Sequence, residues 1–495
     1  MQNKATHKQA FFFTIINYVG ILIGIGSTLF IYPKNKEMLG VFRYVESLAQ
    51  ILFPIMLLGA SQALIKFGPK LDNRQEKQLF NYSVVSIVII SLFLLTSIGL
   101  LSFFPIFKGF KYIYLAFPIA FSLALIDLFK KQATIIQRIA VPTFFDNIIP
   151  KIALPIVFLM VLNNFYSTED ALLFYIISYS LIALFIAVYL FYYFKPEFNF
   201  NFKSLFTEIS ISEMYRFSLF AFAGSLGSVF AFRIDAIMIP KFLSMEDNGT
   251  FSIGVTLASA LAVPATGIFI LYAPIISNYI KDNAIAELDL KYKEISKLLF
   301  FIGALLYSCI FLGIENLFLL LPTHENLMAS IPIILILGFN VLVNMGTGFN
   351  GEIITYSKYY RFNLIAIGIL ILLNVSLNII FIKVFHYGIE GVAFASLISM
   401  LLFNFSKLLF IYQKFRILPF DKSYLKLILV FSIVLFISFY LPNFENDLWN
   451  LIFKTIFCLS VNLLLIYKLK LVFSYNFWIK KMLMKLSPNT YKQRH

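Results

Sequence analysis

The chain is short of charge, cysteine and histidine. Of its 495 residues, 13% are charged, two are cysteine and four are histidine, whereas 60% are hydrophobic and the mean hydropathy is +0.86. So few polar side chains could not cover the apolar surface of a soluble fold of this size. The cysteines and histidines are too scattered for a disulfide framework or a zinc site. We therefore expect an integral membrane protein with no bound metal.

Other features are also missing from the sequence. No GxxxxGK[ST] loop is present, which excludes an ATPase of that class. No loop on the predicted outer side exceeds about ten residues, and the longest inner segments are too short for a folded domain. MQNKATHKQA leads into FFFTIINYVG without a small-residue cleavage site, so we expect the first apolar run to be a retained span.

Apolar runs long enough to cross a bilayer recur along the chain. Crossing about 30 Å of hydrocarbon takes about 20 apolar residues. Such runs occupy residues 11–31, 40–65, 80–105, 112–129, 143–162, 171–194, 216–240, 250–277, 298–321, 328–349, 362–383, 389–412, 424–441 and 448–467. The sequence therefore predicts an all-α polytopic membrane protein with about 14 transmembrane helices.

Basic residues are divided unequally between alternate loops. If the N terminus is cytoplasmic, six of the 40 Lys and Arg residues fall in outer loops and thirty fall in or beside inner segments. The four remaining ones lie within predicted spans: Arg43, Lys151, Arg233 and Lys454. Because cytoplasmic loops carry the excess of Lys and Arg, both termini are predicted to be cytoplasmic. The net charge of +15 indicates contact with anionic lipid and no nucleic-acid partner.

Two segments carry the same ordered signature, IYPKNKEMLGVF (31–42) and MIPKFLSMEDNGTF (238–251). The Pro-Lys pair recurs after 207 residues and the Gly-x-Phe pair, which begins at Gly40 and Gly249, after 209. Because six helices separate the segments, they share one orientation and predict a parallel repeat. The predicted parts are an N-lobe of six helices (1–210), a C-lobe of six helices (211–415), two additional helices (416–472) and a basic amphipathic cytoplasmic tail (473–495).

Three stretches resemble a known family. They are LGVFRYVESLAQILFPIMLLGASQALIKF (39–67), RIDAIMIPKFLSMEDNGTFSIGVTLASAL (233–261) and NVSLNIIFIKVFHYGIEGVAFASLIS (374–399). Together with the two lobes and two extra helices, they resemble the polysaccharide flippases of the multidrug/oligosaccharidyl-lipid/polysaccharide exporter superfamily, which are Wzx-type O-antigen and capsule-unit translocators. In the last stretch, Asn374, Asn378, Tyr387-Gly388 and Gly391-Val392-Ala393 follow the family's order. The likeness is one of spacing and topology, without a catalytic signature.

Charged residues inside predicted spans are the candidate site residues, because a charge at the bilayer centre costs about 2.5–3.5 kcal/mol and normally faces a protein interior or a watery cavity. Under the resemblance, Arg43, Lys151 and Arg233 would bind a diphosphate headgroup. The alternative is that the arginines reach the outer surface and that Lys151 marks a structural break. Lys454 is expected to reach the membrane surface.

Carboxylates and amides form a second group of candidates. Glu46 and Asp235 are candidates for coupling to H⁺ or Na⁺, with Gln50 and Asn17 as further cavity residues, although pairing with a nearby cation would serve structure alone. On a continuous helix, Asp235 and Arg233 would face about 200° apart. Weaker candidates for a sugar path, or for hydrogen bonds between helices, are Asn340, Asn344, Asn374 and Asn378.

The sequence and the resemblance lead to one functional hypothesis and two rivals. The first is a non-enzymatic flippase in the bacterial inner membrane that moves undecaprenyl-diphosphate-linked repeat units of O-antigen, lipopolysaccharide or capsule to the outer leaflet, alongside other polysaccharide-assembly proteins. A multidrug or cation efflux antiporter of the same superfamily would need a more acidic cavity. A membrane glycan polymerase or glycosyltransferase would need a large outer loop or a catalytic acidic loop, and neither is present. No cofactor is expected beyond a coupling ion.

Overall fold

The computed structural model describes residues 18–103, 111–197, 201–202 and 204–486, with the side chains of residues 270 and 484–486 left out. These residues form helices, and no strand occurs among them. The helices of the first half are α1 (Tyr18–Phe30), α2 (Lys36–Leu57), α3 (Ala60–Phe67), α4 (Asn73–Ser102), α5 (Lys111–Ile135), α6 (Ala140–Leu162), α7 (Thr168–Phe194), α8 (Leu205–Glu208), α9 (Ile211–Arg233) and α10 (Asp235–Phe242).

The second half of the chain is also helical. They are α11 (Met245–Ser259), α12 (Val263–Lys281), α13 (Ile285–Leu319), α14 (His324–Met328), α15 (Ile331–Gly346), α16 (Asn350–Tyr356), α17 (Arg361–Ile379), α18 (Gly388–Phe415), α19 (Lys422–Phe439), α20 (Asp447–Lys468) and α21 (Phe473–Leu486). A short 3₁₀ helix, Tyr32–Asn35, precedes α2, and a π-helical turn, Ile380–Val384, follows α17.

The predicted membrane architecture is confirmed. Among the described residues, 12 helices are long and apolar enough to cross a bilayer, or 13 if the bent pair α15–α16 is one span. The described part of the first predicted span is α1. Within a bilayer, helices satisfy their own backbone hydrogen bonds, which explains why one apolar run after another folds in this way.

The chain forms two compact units, Met1–Ile253 and Gly254–His495. In the first unit, α2 packs against α4, α5, α9 and α10, and α7 packs against α5 and α6. The predicted second span is divided in two, because Leu58 (φ 42) and Gly59 (φ 79) end α2 and start α3. The predicted lobes 1–210 and 211–415 stay a prediction.

One helix of the first unit, α9, is barely enclosed. Only 6% of its most apolar window is buried, against 44% for α5 and α7. Its buried residues are Met214 and Ala231. Small residues are interspersed with leucine and phenylalanine between Ser218 and Ser228, and most of these positions are half-buried. The helix is therefore partly covered along its length, with few residues fully enclosed.

The two glycines of the repeat signature lie against each other's helix. A Cβ added to Gly40 of α2 would overlap the carbonyl oxygen of Met245, and a Cβ added to Gly249 of α11 would overlap that of Lys36. The Asn248 side-chain amide donates to the Gly40 carbonyl oxygen at 2.8 Å. The corresponding segments thus cross by direct backbone contact, which only residues without a side chain allow.

In the second unit, α13 packs against α15, α19 and α20, and α18 packs against α15, α16 and α17. Its largest buried cluster centres on Tyr292, Phe349 and Ile353. The predicted tail is helical as α21 over its described part, with Phe477 and Trp478 exposed beside lysines.

We expect Gly40→Ala and Gly249→Ala each to destabilise the purified protein by about 1–3 kcal/mol, because the new methyl group must push a helix backbone away. The measurement is thermal unfolding in detergent. Gly99→Ala is the matched control, since a Cβ there meets nothing within 4 Å. Equal melting temperatures for all three variants would contradict the close crossing.

Candidate functional site

A hydrogen-bonded polar series lies on one face of α2. The Arg43 guanidinium donates to Glu46 at 2.7 Å, and the Gln50 amide donates to the other carboxylate oxygen of Glu46 at 3.3 Å. The spacing i, i+3, i+7 brings these side chains together on an α-helix. Their side chains are largely withdrawn from solvent, with 24% of Arg43 and 14% of Glu46 exposed. Three of the predicted site residues therefore form one unit.

Three buried tyrosines surround this series, and the sequence analysis missed them. Tyr32 of the 3₁₀ helix is 3% exposed, and Tyr175 and Tyr179 of α7 are 2% and 5% exposed. The hydroxyl groups of Tyr175 and Tyr179 lie 3.4 Å apart. All three tyrosines interact electrostatically with Arg43 and Glu46. The i,i+4 spacing of the two α7 tyrosines was the available signal.

Arg233 and Asp235 flank the junction of two helices. Arg233 is the last residue of α9, Asp235 is the first of α10, and Ile234 between them keeps helical dihedral angles (φ −61, ψ −36). The expected separation of about 200° between the two side chains stays a prediction. A cation at a helix C terminus and a carboxylate at an N terminus are each stabilised by the helix dipole. This local effect accounts for two charges placed so close together in an apolar run.

Arg233 also takes part in the electrostatics of the α2 series, because Glu46 feels the charges of both Arg43 and Arg233. Arg233 makes no hydrogen bond or ion pair within the part of the chain that the structure describes. Two guanidinium groups therefore share one carboxylate. The unused donors of Arg233 suit an anionic ligand, since a guanidinium binds phosphate oxygens with two parallel hydrogen bonds.

Two cavities of the first unit lie away from this charged face. One, of about 410 Å³, is lined by residues that include Glu37, Val41 and Tyr112. The other, of about 270 Å³, is apolar and includes Leu48 and Ile237 in its lining. At 100° per residue, the α2 members of both linings lie on the side of the helix opposite Arg43 and Glu46. Neither cavity therefore belongs to the charged cluster.

Lys151 makes no hydrogen bond or ion pair with the α2 series among the described residues, and its predicted role stays a prediction. Its ammonium packs against Gly20 of α1, and a Cβ on that glycine would lie 2.9 Å from Nζ. Asp146, which could have neutralised it within α6, forms an ion pair with Lys130 of α5. Lys454 donates to Asn443 in the loop before α20 at 2.6 Å, so its side chain reaches away from the centre of its helix. Asn17 lies outside the described residues.

The asparagine candidates make hydrogen bonds in the second unit. Asn378 donates to Asn374 at 2.7 Å, and Asn374 donates to Ser396 of α18 at 3.1 Å. Asn344 accepts from Asn404 at 3.5 Å. The Asn374–Ser396 and Asn404–Asn344 contacts join different helices, as amides commonly do within membranes, whereas Asn378–Asn374 lies within α17. Asn340 differs, because its buried side-chain oxygen has no partner among the described residues.

A second pair of charges in spanning helices, Glu352 of α16 and Lys407 of α18, was also missed. Lys407 lies within the predicted span 389–412, five residues before its end. The count of basic residues assigned it to the neighbouring inner segment and not to the span. The structure leaves it 9% exposed and within electrostatic reach of Glu352. The described residues contain no group of His, Cys, Asp or Glu side chains that could hold a metal ion.

Comparisons with known proteins identify the fold. No protein-family model matches the chain, and no curated protein matches its sequence. A solved structure described as the lipid II flippase MurJ, in an inward closed conformation, superposes with a TM-score of 0.70 at 15% identity, covering 95% of this chain and 99% of that one.

Two further structures agree with this result. An inward-facing multidrug resistance MATE transporter of the MOP superfamily gives a TM-score of 0.60 at 14% identity, covering 81% of this chain and 94% of that one. A MOP-superfamily transporter from Pyrococcus furiosus, described as having a binding pocket of reversed polarity, gives 0.54 at 13% identity, covering 82% and 95%. The chain therefore has the fold of MOP-superfamily transporters, as a multi-pass membrane protein.

We expect Glu46→Ala to destabilise the protein by about 3–5 kcal/mol, because it leaves the Arg43 charge without its partner in a site withdrawn from water. The double variant Arg43→Met/Glu46→Ala should recover a large part of this loss. Thermal unfolding of the single and double variants measures both effects. The control is Glu246→Ala. The Glu246 side chain is 60% exposed, so its ion pair with Lys36 should contribute under about 1 kcal/mol to stability. Equal losses in Glu46→Ala and the double variant would contradict the coupling.

Proposed function

We propose that the chain is a flippase that carries an undecaprenyl-diphosphate-linked oligosaccharide from the cytoplasmic to the outer leaflet of a bacterial inner membrane. The likeness to a lipid II flippase over 95% of the chain supports a lipid-linked substrate. The resemblance of residues 39–67, 233–261 and 374–399 to polysaccharide flippases favours O-antigen or capsule repeat units. In this proposal the protein is a transporter and catalyses no covalent step.

The free guanidinium of Arg233 beside the Arg43–Glu46 pair is the observation that carries the proposal. Two guanidinium groups share the carboxylate of Glu46, and Arg233 keeps all of its donors free among the described residues. A diphosphate offers the oxygen pairs that a guanidinium binds best. In this proposal Arg233 contacts the diphosphate directly. Arg43, which is held by Glu46, attracts the headgroup over a longer distance.

Transport would follow alternating access, in which two rigid lobes rock about a central site. Pro54 precedes the break between α2 and α3, and Pro264 stands at the start of α12, so both mark points where a spanning segment can bend. An ion gradient, the membrane potential or consumption of the product on the far side would supply the energy.

A cation efflux antiporter is the second candidate, and the likeness to MATE transporters favours it. Cationic drugs, however, require carboxylates that are free to bind them. In the first unit, Glu46 is occupied by Arg43. Ethidium efflux from cells that carry the protein would support this alternative over the flippase.

Arg233→Gln should reduce flipping of a fluorescent undecaprenyl-diphosphate oligosaccharide in proteoliposomes by about tenfold or more, because a hydrogen bond to a charged group contributes about 1.5–3 kcal/mol. Arg233→Lys should keep part of the activity, since an ammonium retains the charge without the planar fork. The double variant Arg43→Gln/Arg233→Gln should abolish surface glycan in a complemented deletion strain.

The matched control is Arg361→Gln, which removes an exposed arginine from the first turn of α17. All variants should be monodisperse and present in the membrane at the level of the unchanged protein. Full glycan display in the double variant would overturn the proposed role of the arginines. Absence of flipping by the unchanged protein, together with ethidium efflux, would replace the flippase by the antiporter.

A further inference from the structure

The bend between α15 and α16 is held by side chains from several helices. The two helices meet at 49°, and Gly348 has φ +62 between them. The backbone carbonyls freed by the bend accept hydrogen bonds from buried tyrosines, Gly346 from Tyr424 at 2.8 Å and Thr347 from Tyr292 at 3.0 Å. Irregular backbone at membrane depth needs such partners, and broken spans often mark transport sites.

One amide of α18, that of Asn404, completes this arrangement. Asn404 accepts from the Asn350 amide at 2.8 Å and from the Thr347 hydroxyl at 3.3 Å. Asn350 also donates to Thr347 at 3.1 Å. The first residue of α16 is thereby tied to α18 one turn before Lys407. The position of Lys407 relative to α16 is thus fixed by a satisfied polar network.

Lys407 is buried without a direct acceptor. It is 9% exposed, and its ammonium lies 4.0 Å from the centroid of the Phe403 ring and beside the backbone of Gly351. No carboxylate or other acceptor bonds it within the described ranges of the chain, and its electrostatic partner is Glu352, beyond the 4.0 Å limit of an ion pair. Glu352 is partly exposed, so protons can reach it more readily than they reach Lys407.

Two structural roles that explain other lysines in the helices of this protein do not apply to Lys407. Lys297 makes a direct ion pair with Asp421 at 2.8 Å, and Lys454 extends to the amide oxygen of Asn443 in a loop. Lys407 does neither. The Phe403 ring contacts the ammonium but neither accepts a conventional hydrogen bond nor neutralises the charge. A buried cation without a carboxylate in contact costs stability, and such residues in membrane helices mark ion or proton paths.

The opposite signs of Glu352 and Lys407 restrict the ligand. An inorganic cation needs several oxygen ligands and would be repelled by the ammonium, and an inorganic anion would be repelled by the carboxylate. A proton needs no cage of ligands. It converts the carboxylate to a neutral carboxylic acid and abolishes its attraction to Lys407.

We propose that Glu352 is a proton-binding site in the second unit, and that its protonation switches its attraction to Lys407 across α16 and α18. In the step, a hydronium ion gives its proton to the Glu352 carboxylate and leaves as water. The ammonium of Lys407 is unchanged and is then uncompensated. Release of the proton restores the attraction. The coupling of this proton binding to lipid transport rests on the proposed function.

Other ionisable groups lie on the elements around the pair. From α13, Tyr292 interacts electrostatically with Glu352. Of the elements packed on α16, α12 carries Tyr272, Tyr279 and Lys281. Of those packed on α18, α15 has no ionisable side chain, α17 has Arg361 at its exposed start, and the π-helical turn has Lys383. Glu352 is the group that acts electrostatically on Lys407.

Infrared difference spectroscopy tests the site without any substrate. The full-length chain in lipid nanodiscs is compared between about pH 4 and about pH 9, where carboxyl groups change protonation. A carboxylic acid band should be lost in Glu352→Gln and kept in the matched control Glu390→Gln, which changes an exposed carboxylate on α18. In Lys407→Met the same band should persist to a pH about 1–3 units higher, since the favourable cation is gone.

Each outcome decides the proposal. Retention of the band in Glu352→Gln, or an unchanged midpoint in Lys407→Met, overturns it. If Lys407→Met is not monodisperse, Lys407→Gln answers the same question, and Lys407→Arg should keep the original midpoint. In proteoliposomes, Glu352→Gln should flip lipid at a rate that no longer depends on a pH gradient. Failure of the unchanged protein to flip lipid would overturn the proposed function and leave the spectroscopic result standing.

Discussion

The reciprocal backbone contact between Gly40 and Gly249 sets the geometry on which the first unit depends. Because neither residue has a side chain, α2 and the start of α11 cross at the separation of two backbones, and the Asn248 side chain joins them. Arg43 lies one turn beyond this crossing. The position of Arg43 and Glu46 on α2 therefore depends on an uncharged backbone contact.

The two units hold charge in chemically different ways. In the first, the arginines keep their charge at any pH a cell reaches, which suits recognition of a permanent anion. In the second, the carboxylate of Glu352 faces an ammonium that it does not touch, an arrangement whose strength changes with a single proton. Under our proposals, one unit recognises the headgroup and the other senses the gradient.

Sequence patterns revealed the helices and the local part of the site. The series on α2 was accessible because i, i+3 and i+7 positions meet within one helix. The break at Leu58 was not accessible, because it lies inside the continuous apolar run 40–65. The bend at Gly348 lies at the end of the predicted span 328–349, where the sequence offered no reason to continue the helix at a new angle. The α7 tyrosines share a face by their i,i+4 spacing, but their approach to α2, like that of Glu352 to Lys407, arises from tertiary packing between segments far apart in the sequence.

The sparse enclosure of α9 has a practical consequence for work with the purified protein. A helix with so few fully buried residues takes part of its support from whatever surrounds it, and Arg233 stands at its end. Solubilisation replaces those surroundings with surfactant. The orientation of Arg233 should therefore change with the choice of detergent before the protein unfolds globally.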